Sequence, residues 1–325
     1  MRLEPDEVVS VLRAAGEPTR LRILALLKHG DLAVGELAQI LGQSQPRLSH
    51  HLKALSSSGI VERMPEGSWV FYRLRQRGPS RRIMDTIFEQ TDFSVGDFDR
   101  DARHLRTIQA ARAQEANAYF ERIADTWDTV RSLHYPNEAI ERALLDVAGT
   151  GPFDCVIDIG TGTGRMLTLF APRSERAEGI DLSHKMLTVA RANLETAGIE
   201  NALVRQGDAT ATPLESGVAD LVILHQVLHF IDTPEQVIAE ASRILRPGGR
   251  LLVIDFAPHD LEFLRNDHAH RHLGVQHHAL DIWTDTHGLK LAEPRRFDPP
   301  SELKEGLAVQ IWAADKSSFE KEAAA

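Results

Sequence analysis

Two features are scarce in this 325-residue chain: cysteine and long apolar runs. The single cysteine, Cys155, excludes a disulfide within one chain. No stretch approaches the roughly 20 consecutive apolar residues that a membrane-spanning helix needs. The first residues also lack the basic and then apolar pattern of a secretion signal. We therefore expect a cytoplasmic protein with no membrane partner.

Charge is unevenly distributed along the chain. Residues 1–78 contain 11 of the 37 lysines and arginines and 8 of the 47 aspartates and glutamates. The remainder of the chain therefore contains 26 basic and 39 acidic residues. A mildly basic first part joined to an acidic body indicates that only the first part faces a polyanion. The length is sufficient for two domains with separate cores.

Helical apolar spacing dominates the first part of the chain. A helix is predicted over PTRLRILALL, and LAVGELAQILG predicts another that Gly42 closes. Ser44 is a suitable N-cap for the next helix, since proline is tolerated in a first turn and Pro46 lies there. Two short helices joined by a tight turn predict a helix-turn-helix, whose second helix enters the major groove of DNA.

Two alternating segments follow around Glu66–Gly67 and predict a β-hairpin wing. With this wing, residues 8–77 resemble the winged helix-turn-helix of the ArsR family of bacterial regulators. The resemblance implies a homodimer that reads two half-sites of a double-stranded DNA operator. The candidate contacts to base edges and phosphates are Ser44, Gln45, Arg47, Ser49, His50, Lys53, Arg63 and Arg73.

The chain departs from the metal-sensing members of that family. Those members carry a Cys-x-Cys on the third helix, because soft thiolates bind arsenite, cadmium or lead. Here the matching residues 32–35 are Leu-Ala-Val-Gly, and one cysteine excludes a thiolate site within one chain. The signal must therefore come from another part of the protein.

We predict four regions. Residues 1–95 form the DNA-binding and dimerisation domain, 96–126 a linking helix, 127–316 an α/β domain, and 317–325 a frayed tail. The end of the linking helix merges into ADTWDTVRSLHYPNEAIERALLDVAG, residues 124–149, and this segment resembles the amino-terminal cap of small-molecule methyltransferases. Three side chains there, together with a histidine further along, are candidates for closing over a ligand: Tyr119, Trp127, His134 and His259.

A glycine-rich loop follows a run of β-branched residues in VIDIGTGTGR, residues 156–165. Its third glycine comes two residues after the second, which departs from the G-x-G-x-x-G of nicotinamide and flavin sites. Strands and helices alternate from Phe153 onward, so we predict a doubly wound parallel sheet. Ligands bind such sheets at the carboxyl ends of the strands.

Carboxylates follow three successive predicted strands, at Asp158, Asp181 and Asp208. With the glycine loop, they make residues 119–258 resemble the class I S-adenosylmethionine (SAM) methyltransferases of the ubiquinone/menaquinone type. The resemblance implies SAM or S-adenosylhomocysteine (SAH) as cofactor, with the three acids toward its ammonium, ribose and adenine. The candidate cofactor contacts are Asp158, Gly160, Thr161, Gly162, Gly164, Asp181, Leu182, Met186, Asp208, Ala209 and His225.

Methyl transfer is an in-line displacement that depends mostly on positioning, although an acceptor can need a base. His225 and His229 are the candidate catalytic residues, because they follow the fourth predicted strand; the alternative is a structural role. No N/D-P-P-Y/F motif follows that strand, which argues against methylation of DNA.

Histidines cluster between His259 and His278. His268 and His272 have the i, i+4 spacing that zinc sites use on a helix. Because no accompanying Glu motif or cysteine is present, we predict no metal and instead a lid that titrates near neutrality.

Two functions follow from these features. The first is a transcriptional regulator whose methyltransferase-like domain senses SAM or SAH and acts on genes of methionine and SAM metabolism. The second is an active methyltransferase for a small-molecule acceptor, with a DNA-binding domain that controls its own operon.

Overall fold

The computed structural model describes residues 3–30, 32–66, 69–75, 78–123, 137–299 and 306–318. The chain divides into two compact units, Met1–Gln114 and Glu115–Ala325. The predicted boundaries at residues 95, 126 and 316 stay predictions. Among the described residues, no helix has both the length and the apolar character needed to cross a membrane.

The first unit combines helices with a small antiparallel sheet of strand order β1-β3-β2. Its elements are α1 (Pro5–Ala15), α2 (Pro18–Leu27), β1 (Leu32–Ala33), α3 (Val34–Leu41), α4 (Gln45–Ser57), β2 (Val61–Glu66), β3 (Trp69–Leu74), α5 (Pro79–Glu89) and the part of α6 (Gly96–Ile123) that precedes Glu115. The predicted helix at residues 32–42 is wrong at its start, because Leu32 and Ala33 pair with Tyr72 and Phe71 of β3.

Local capping explains where the central helices begin and end. Glu17 caps α2, since its carboxylate accepts a hydrogen bond from the Arg20 backbone N–H at 2.8 Å. Gly42 ends α3 in the left-handed conformation, with φ of 64°. Ser44 occupies the N-cap of α4 in an extended conformation, but its side chain makes no capping hydrogen bond, contrary to the prediction.

Helix α6 begins as part of the core of the first unit. The Arg22 guanidinium holds both carboxylate oxygens of Asp101 at 2.6 and 2.7 Å. Asp101 is 2% exposed, and Leu105, one turn further on, is 3% exposed in the same apolar cluster. The first turns of the predicted linking helix therefore pack as part of the winged unit.

The second unit is built on an eight-stranded sheet. Its elements are α7 (Asn137–Ala148), β4 (Phe153–Ile159), α8 (Arg165–Phe170), β5 (Ser174–Asp181), α9 (His184–Thr196), β6 (Ala202–Gln206), β7 (Ala219–His225), α10 (Pro234–Ile244), β8 (Leu245–Phe256), α11 (Phe263–His268), α12 (His277–Thr286), β9 (Leu289–Leu291), β10 (Arg295–Phe297) and β11 (Val309–Lys316). Two apolar clusters of buried residues pack against this sheet.

The strand order is β10-β11-β8-β7-β4-β5-β6, with β9 also paired to β11. Strands β4 to β8 run parallel, and β11 is antiparallel to β8. This confirms the predicted doubly wound sheet. Strands β9 and β10 pair separately with β11, each in the antiparallel direction.

Register places the predicted ligand residues at one edge of the sheet. Asp158 of β4 lies opposite Gly179 of β5, and Ile159 lies opposite Leu224 of β7. Asp158, Asp181 and His225 are therefore at the carboxyl ends of three adjacent strands, where open α/β sheets bind ligands.

Candidate ligand site and DNA-facing helix

The glycine loop after β4 follows a path that requires its glycines. Gly160 has φ of 73°, and a Cβ at that position would collide with the side chain of Val227. The Gly160 and Thr161 N–H groups both donate to the Ile180 carbonyl, at 2.7 and 3.0 Å. The loop is thus held between the ends of β5 and β7, with its backbone close to the sheet edge.

Asp158 is 1% exposed, and its Oδ2 accepts a hydrogen bond from Thr161 Oγ1 at 2.6 Å. A carboxylate in this position is suited to a cationic ligand group, because an ammonium would offset the cost of burying its charge.

Asp181 connects the two neighbouring loops. Its Oδ2 accepts from the Gly162 N–H at 2.8 Å, and its Oδ1 accepts from the Ser183 N–H at 2.9 Å. Burial raises the pKa of Asp181, and these backbone donors act in the opposite direction. Hydroxyl donors of a ribose would also favour the charged carboxylate.

The apolar residues next to Asp181 differ in accessibility. Leu182 is 47% exposed, whereas Met186 is 1% exposed at the start of α9. In this structure Leu182 therefore offers the apolar surface beside Asp181, while Met186 is covered.

Asp208 follows β6 and is exposed, and its Oδ1 accepts from both the backbone N–H and the hydroxyl of Thr210. The Gly207 N–H donates to the Asp181 carbonyl at 3.0 Å, which ties this turn to the end of β5. Ala209 beside it is half-buried. The structure thus brings the three predicted acids to consecutive strand ends.

The two predicted catalytic histidines occupy different environments. His225 is half-buried at the end of β7. His229 is 1% exposed in a 3₁₀ turn, where its Nδ1 lies 2.6 Å from Asp255 Oδ1. The His229 ring also packs within 5.0 Å of the rings of Phe230, His270 and Phe256, measured between centroids. His225 is the more accessible of the two candidates.

The His-rich segment is not the predicted helix. Helix α11 ends at His268, because Ala269 adopts a left-handed conformation with φ of 57°. His272 lies beyond it, with Nε2 3.0 Å from the Ile231 carbonyl oxygen, so the predicted shared face with His268 is wrong. No group of three or more metal-ligating side chains occurs among the residues the structure describes.

His259 does not fit the predicted titration near neutrality. Burial lowers the pKa of His259 to about 4, and the charge of His229 acts in the same direction. Of the other predicted lid residues, Tyr119 belongs to α6, and Trp127 and His134 lie outside the described residues.

Helix α4 has one buried and one exposed face. Leu48, Leu52 and Leu55 are completely buried. The predicted DNA-contacting side chains of this helix and its N-cap are all exposed, namely Ser44, Gln45, Arg47, Ser49, His50 and Lys53. In the wing, Arg63 is exposed on β2, and Arg73 is half-buried on β3. The structure therefore presents hydrogen-bond donors along one side of α4.

Sequence reasoning missed His51, which is 9% exposed on the inner side of α4. Its Nδ1 lies 3.4 Å from Glu17 Oε2. Burial lowers the pKa of His51, while the charge of Glu17 acts to raise it. The three-residue spacing from Leu48 was the signal that could have placed His51 on the buried face.

These folds and sites define a protein that joins a winged DNA-binding module to a methyltransferase-type α/β domain. Residues 17–63 match the family described as bacterial regulatory protein, arsR family, and residues 157–253 match the family described as methyltransferase domain. The chain therefore combines a region similar to the helix-turn-helix of ArsR-family regulators with a region similar to SAM-dependent methyltransferase domains.

Curated relatives match parts of this chain. A demethylmenaquinone methyltransferase of Thermus thermophilus is 34% identical over 119 residues, which are 36% of this chain and 54% of that protein. The UbiE C-methyltransferase of a Marinomonas species is 28% identical over 239 residues, which are 70% of this chain and 91% of that protein. The chain spans between 41% and 54% of the length of several curated relatives that it matches.

Among solved structures, the fold is similar to the N-methyltransferase NodS of Bradyrhizobium japonicum, determined in complex with SAH. The TM-score is 0.50 at 17% identity, with 62% of this chain and 98% of NodS covered. At this identity the similarity concerns the fold.

Proposed function

We propose that this protein is a DNA-binding transcriptional regulator whose second unit binds SAM or SAH as its effector. The observation that carries the proposal is the convergence of Asp158, Asp181 and Asp208 beside the glycine loop, in a chain whose ArsR-type module has no thiolate sensor. A natural set of targets is the genes of methionine and SAM metabolism.

The exposed side of α4 supports the DNA-binding part of the proposal. Arg47 and His50 offer donors to base edges, and Lys53 offers a positive charge to phosphates. Two copies of the module would read two half-sites of an operator, as two-fold symmetric regulators do. We therefore propose a homodimer as the DNA-binding form.

The residues at the sheet edge fit the chemical groups of SAM and SAH. Asp158 would accept from the methionyl ammonium and Asp181 from the ribose hydroxyls, while Asp208 and Ala209 would lie toward the adenine. Leu182 would supply apolar surface. SAM would carry a methyl group on its sulfonium when bound, whereas SAH lacks that methyl group. Neither SAM nor SAH contains a phosphate that would require a basic lining.

Sensing requires that the ligand bind one DNA-binding state better than another, since equal affinity for both shifts nothing. Asp181 is the residue that tests this coupling, because its carboxylate holds the Gly162 and Ser183 backbones in the ligand site. Asp181→Ala should abolish the effect of SAM or SAH on DNA affinity and leave binding without ligand intact. Loss of both the ligand effect and DNA binding without ligand would mean that the site is structural, and the sensor proposal would fail.

A second candidate function is methyl transfer to a small molecule, favoured by the methyltransferase-domain match and by His225 at the end of β7. In that case His225 would orient or deprotonate the acceptor. Label transferred from SAM to a component of a metabolite extract, and lost in Asp158→Ala, would support this function. A wild-type protein that binds SAM but transfers no label would count against it.

A further inference from the structure

Gln226 has an unusual backbone conformation directly after β7. Its φ is 57°, and Gln226 and Ala269 are the non-glycine residues with positive φ among those described. The left-handed region is unfavourable for a residue with a long side chain, and such strain is retained where the surrounding structure imposes it. Here the Gln226 N–H donates to the Ile254 carbonyl at 2.7 Å, which fixes the turn at the end of the strand.

The side chain of Gln226 is also unusual. The residue is 5% exposed, yet its Nε2 has no hydrogen-bond partner among the residues the structure describes. A buried donor without a partner is unfavourable to the folded protein. Gln226 therefore combines a strained backbone with an unmet amide donor at one position.

The position is next to the candidate ligand site. Strand β7 pairs directly with β4, and Val227 packs so closely on Gly160 that a Cβ there would collide with it. Gln226 thus lies in the turn that faces the glycine loop, at the edge where β4, the strand of Asp158, also ends. Strained residues and unmet polar groups that coincide at such an edge indicate ligand binding.

We propose that Gln226 is a ligand-binding residue whose amide Nε2 donates a hydrogen bond to the amino-acid carboxylate of SAM or SAH. The inference rests on the proposed function. An amide nitrogen is a donor, and a carboxylate is the acceptor-only group of the cofactor that complements it. Asp158 would accept a hydrogen bond from the ammonium of the same amino-acid group. Asp158 would therefore bind the ammonium, and Gln226 would bind the carboxylate.

Three variants of the full-length chain separate a binding role from a structural one. Gln226→Met keeps the length of the side chain and removes the donor. Gln226→Asn keeps the amide, withdraws it by one methylene, and tolerates the left-handed backbone. Gln236→Met is the matched control, because Gln236 is exposed on α10.

Two probes report whether the carboxylate is the partner. SAH carries the carboxylate of its homocysteine group, and 5′-methylthioadenosine lacks the whole amino-acid group. Their affinities are measured by calorimetry, and the melting temperature of each variant is measured without ligand. A hydrogen bond to a charged group corresponds to roughly a tenfold to hundredfold change in affinity.

We expect Gln226→Met and Gln226→Asn to bind SAH about tenfold to hundredfold more weakly than wild type and Gln236→Met. Their affinity for 5′-methylthioadenosine should not change, and the melting temperature of Gln226→Met should equal or exceed that of wild type. Wild-type affinity for SAH in both Gln226 variants, an equal loss for both probes, or a lower melting temperature in Gln226→Met would overturn the inference. A wild-type protein that binds neither SAM nor SAH would instead overturn the proposed function.

Discussion

Asp255 Oδ1 accepts a hydrogen bond from the Phe256 N–H at 2.8 Å and lies 2.6 Å from His229 Nδ1, and both Asp255 and His229 are almost completely buried. Asp255 Oδ2 also accepts from the Leu228 N–H at 3.1 Å. The His229 carbonyl in turn accepts from the Arg271 and His272 N–H groups. The pair therefore joins the end of β8 to the turn after β7 and to the His-rich segment.

Asp255→Leu should destabilise the second unit by about 2–4 kcal/mol, because it removes the acceptor for His229 and for two backbone donors in a buried site. Chemical denaturation, followed by a probe of the second unit, measures the change. Asp315→Leu is a suitable control, since Asp315 is exposed in its ion pair with Arg250 and should cost no more than about 1 kcal/mol. Equal effects of the two substitutions would show that the Asp255 contacts contribute little.

Stability should fall as the pH is lowered from 6.5 toward 4. Burial lowers the pKa of His259 to about 4 from an ordinary value of 6.5, so the unfolded chain binds a proton at pH values where folded His259 does not. The contribution of His259 is present above pH 6.5 and is lost as the pH falls through this window. Melting temperatures of wild type and His259→Gln between pH 8 and 4.5 test the sign. The variant should lose less stability over this range, and parallel curves would contradict the assignment.

Arg47→Ala and Lys53→Ala should act differently on DNA binding. Lys53 is expected to contact phosphate, so its loss should weaken binding to all sequences and reduce the salt slope by about 1. Arg47 is expected to contact a base edge, so its loss should weaken binding to the operator by about 1–3 kcal/mol and binding to unrelated DNA by less. Fluorescence anisotropy over a range of salt concentrations separates the two. Lys290→Ala, at an exposed position on β9, is the control. If Lys290→Ala has the same effect as Lys53→Ala, α4 is not the contact surface.

The spacing of the acids in the sequence predicted that they lie together at the carboxyl ends of adjacent strands. Asp158 and Asp181 lie at the carboxyl ends of β4 and β5, and Asp208 follows β6. Adjacent parallel strands end at the same edge whatever the connecting helices contain. The fold was predictable for the same reason, because a glycine loop between a strand and a helix is a local signal. The division of α4 into Leu48, Leu52 and Leu55 inside and polar residues outside is likewise a local periodicity.

Features that depend on distant contacts were not predictable. Leu32 pairs with Tyr72, which is distant in the sequence, so the start of the predicted helix is a strand in the structure. Ala269 adopts a left-handed conformation, and α11 therefore ends before His272. The periodicity of the sequence does not predict such a conformation. The burial of His229 against Asp255 and the strain at Gln226 depend on how β7 and β8 end beside each other. Spacing within one segment carries no information about such pairs.

The central claim is that a ligand of the second unit changes the DNA affinity of the first. The measurement is the affinity for the DNA upstream of the protein's own gene, at one fixed salt concentration, without ligand, with SAM and with SAH. We predict a difference of tenfold or more between at least two of these conditions, which corresponds to about 1.4 kcal/mol of coupling. Equal and specific binding in all three conditions, with SAH shown to bind, would contradict the account and favour the enzyme function instead.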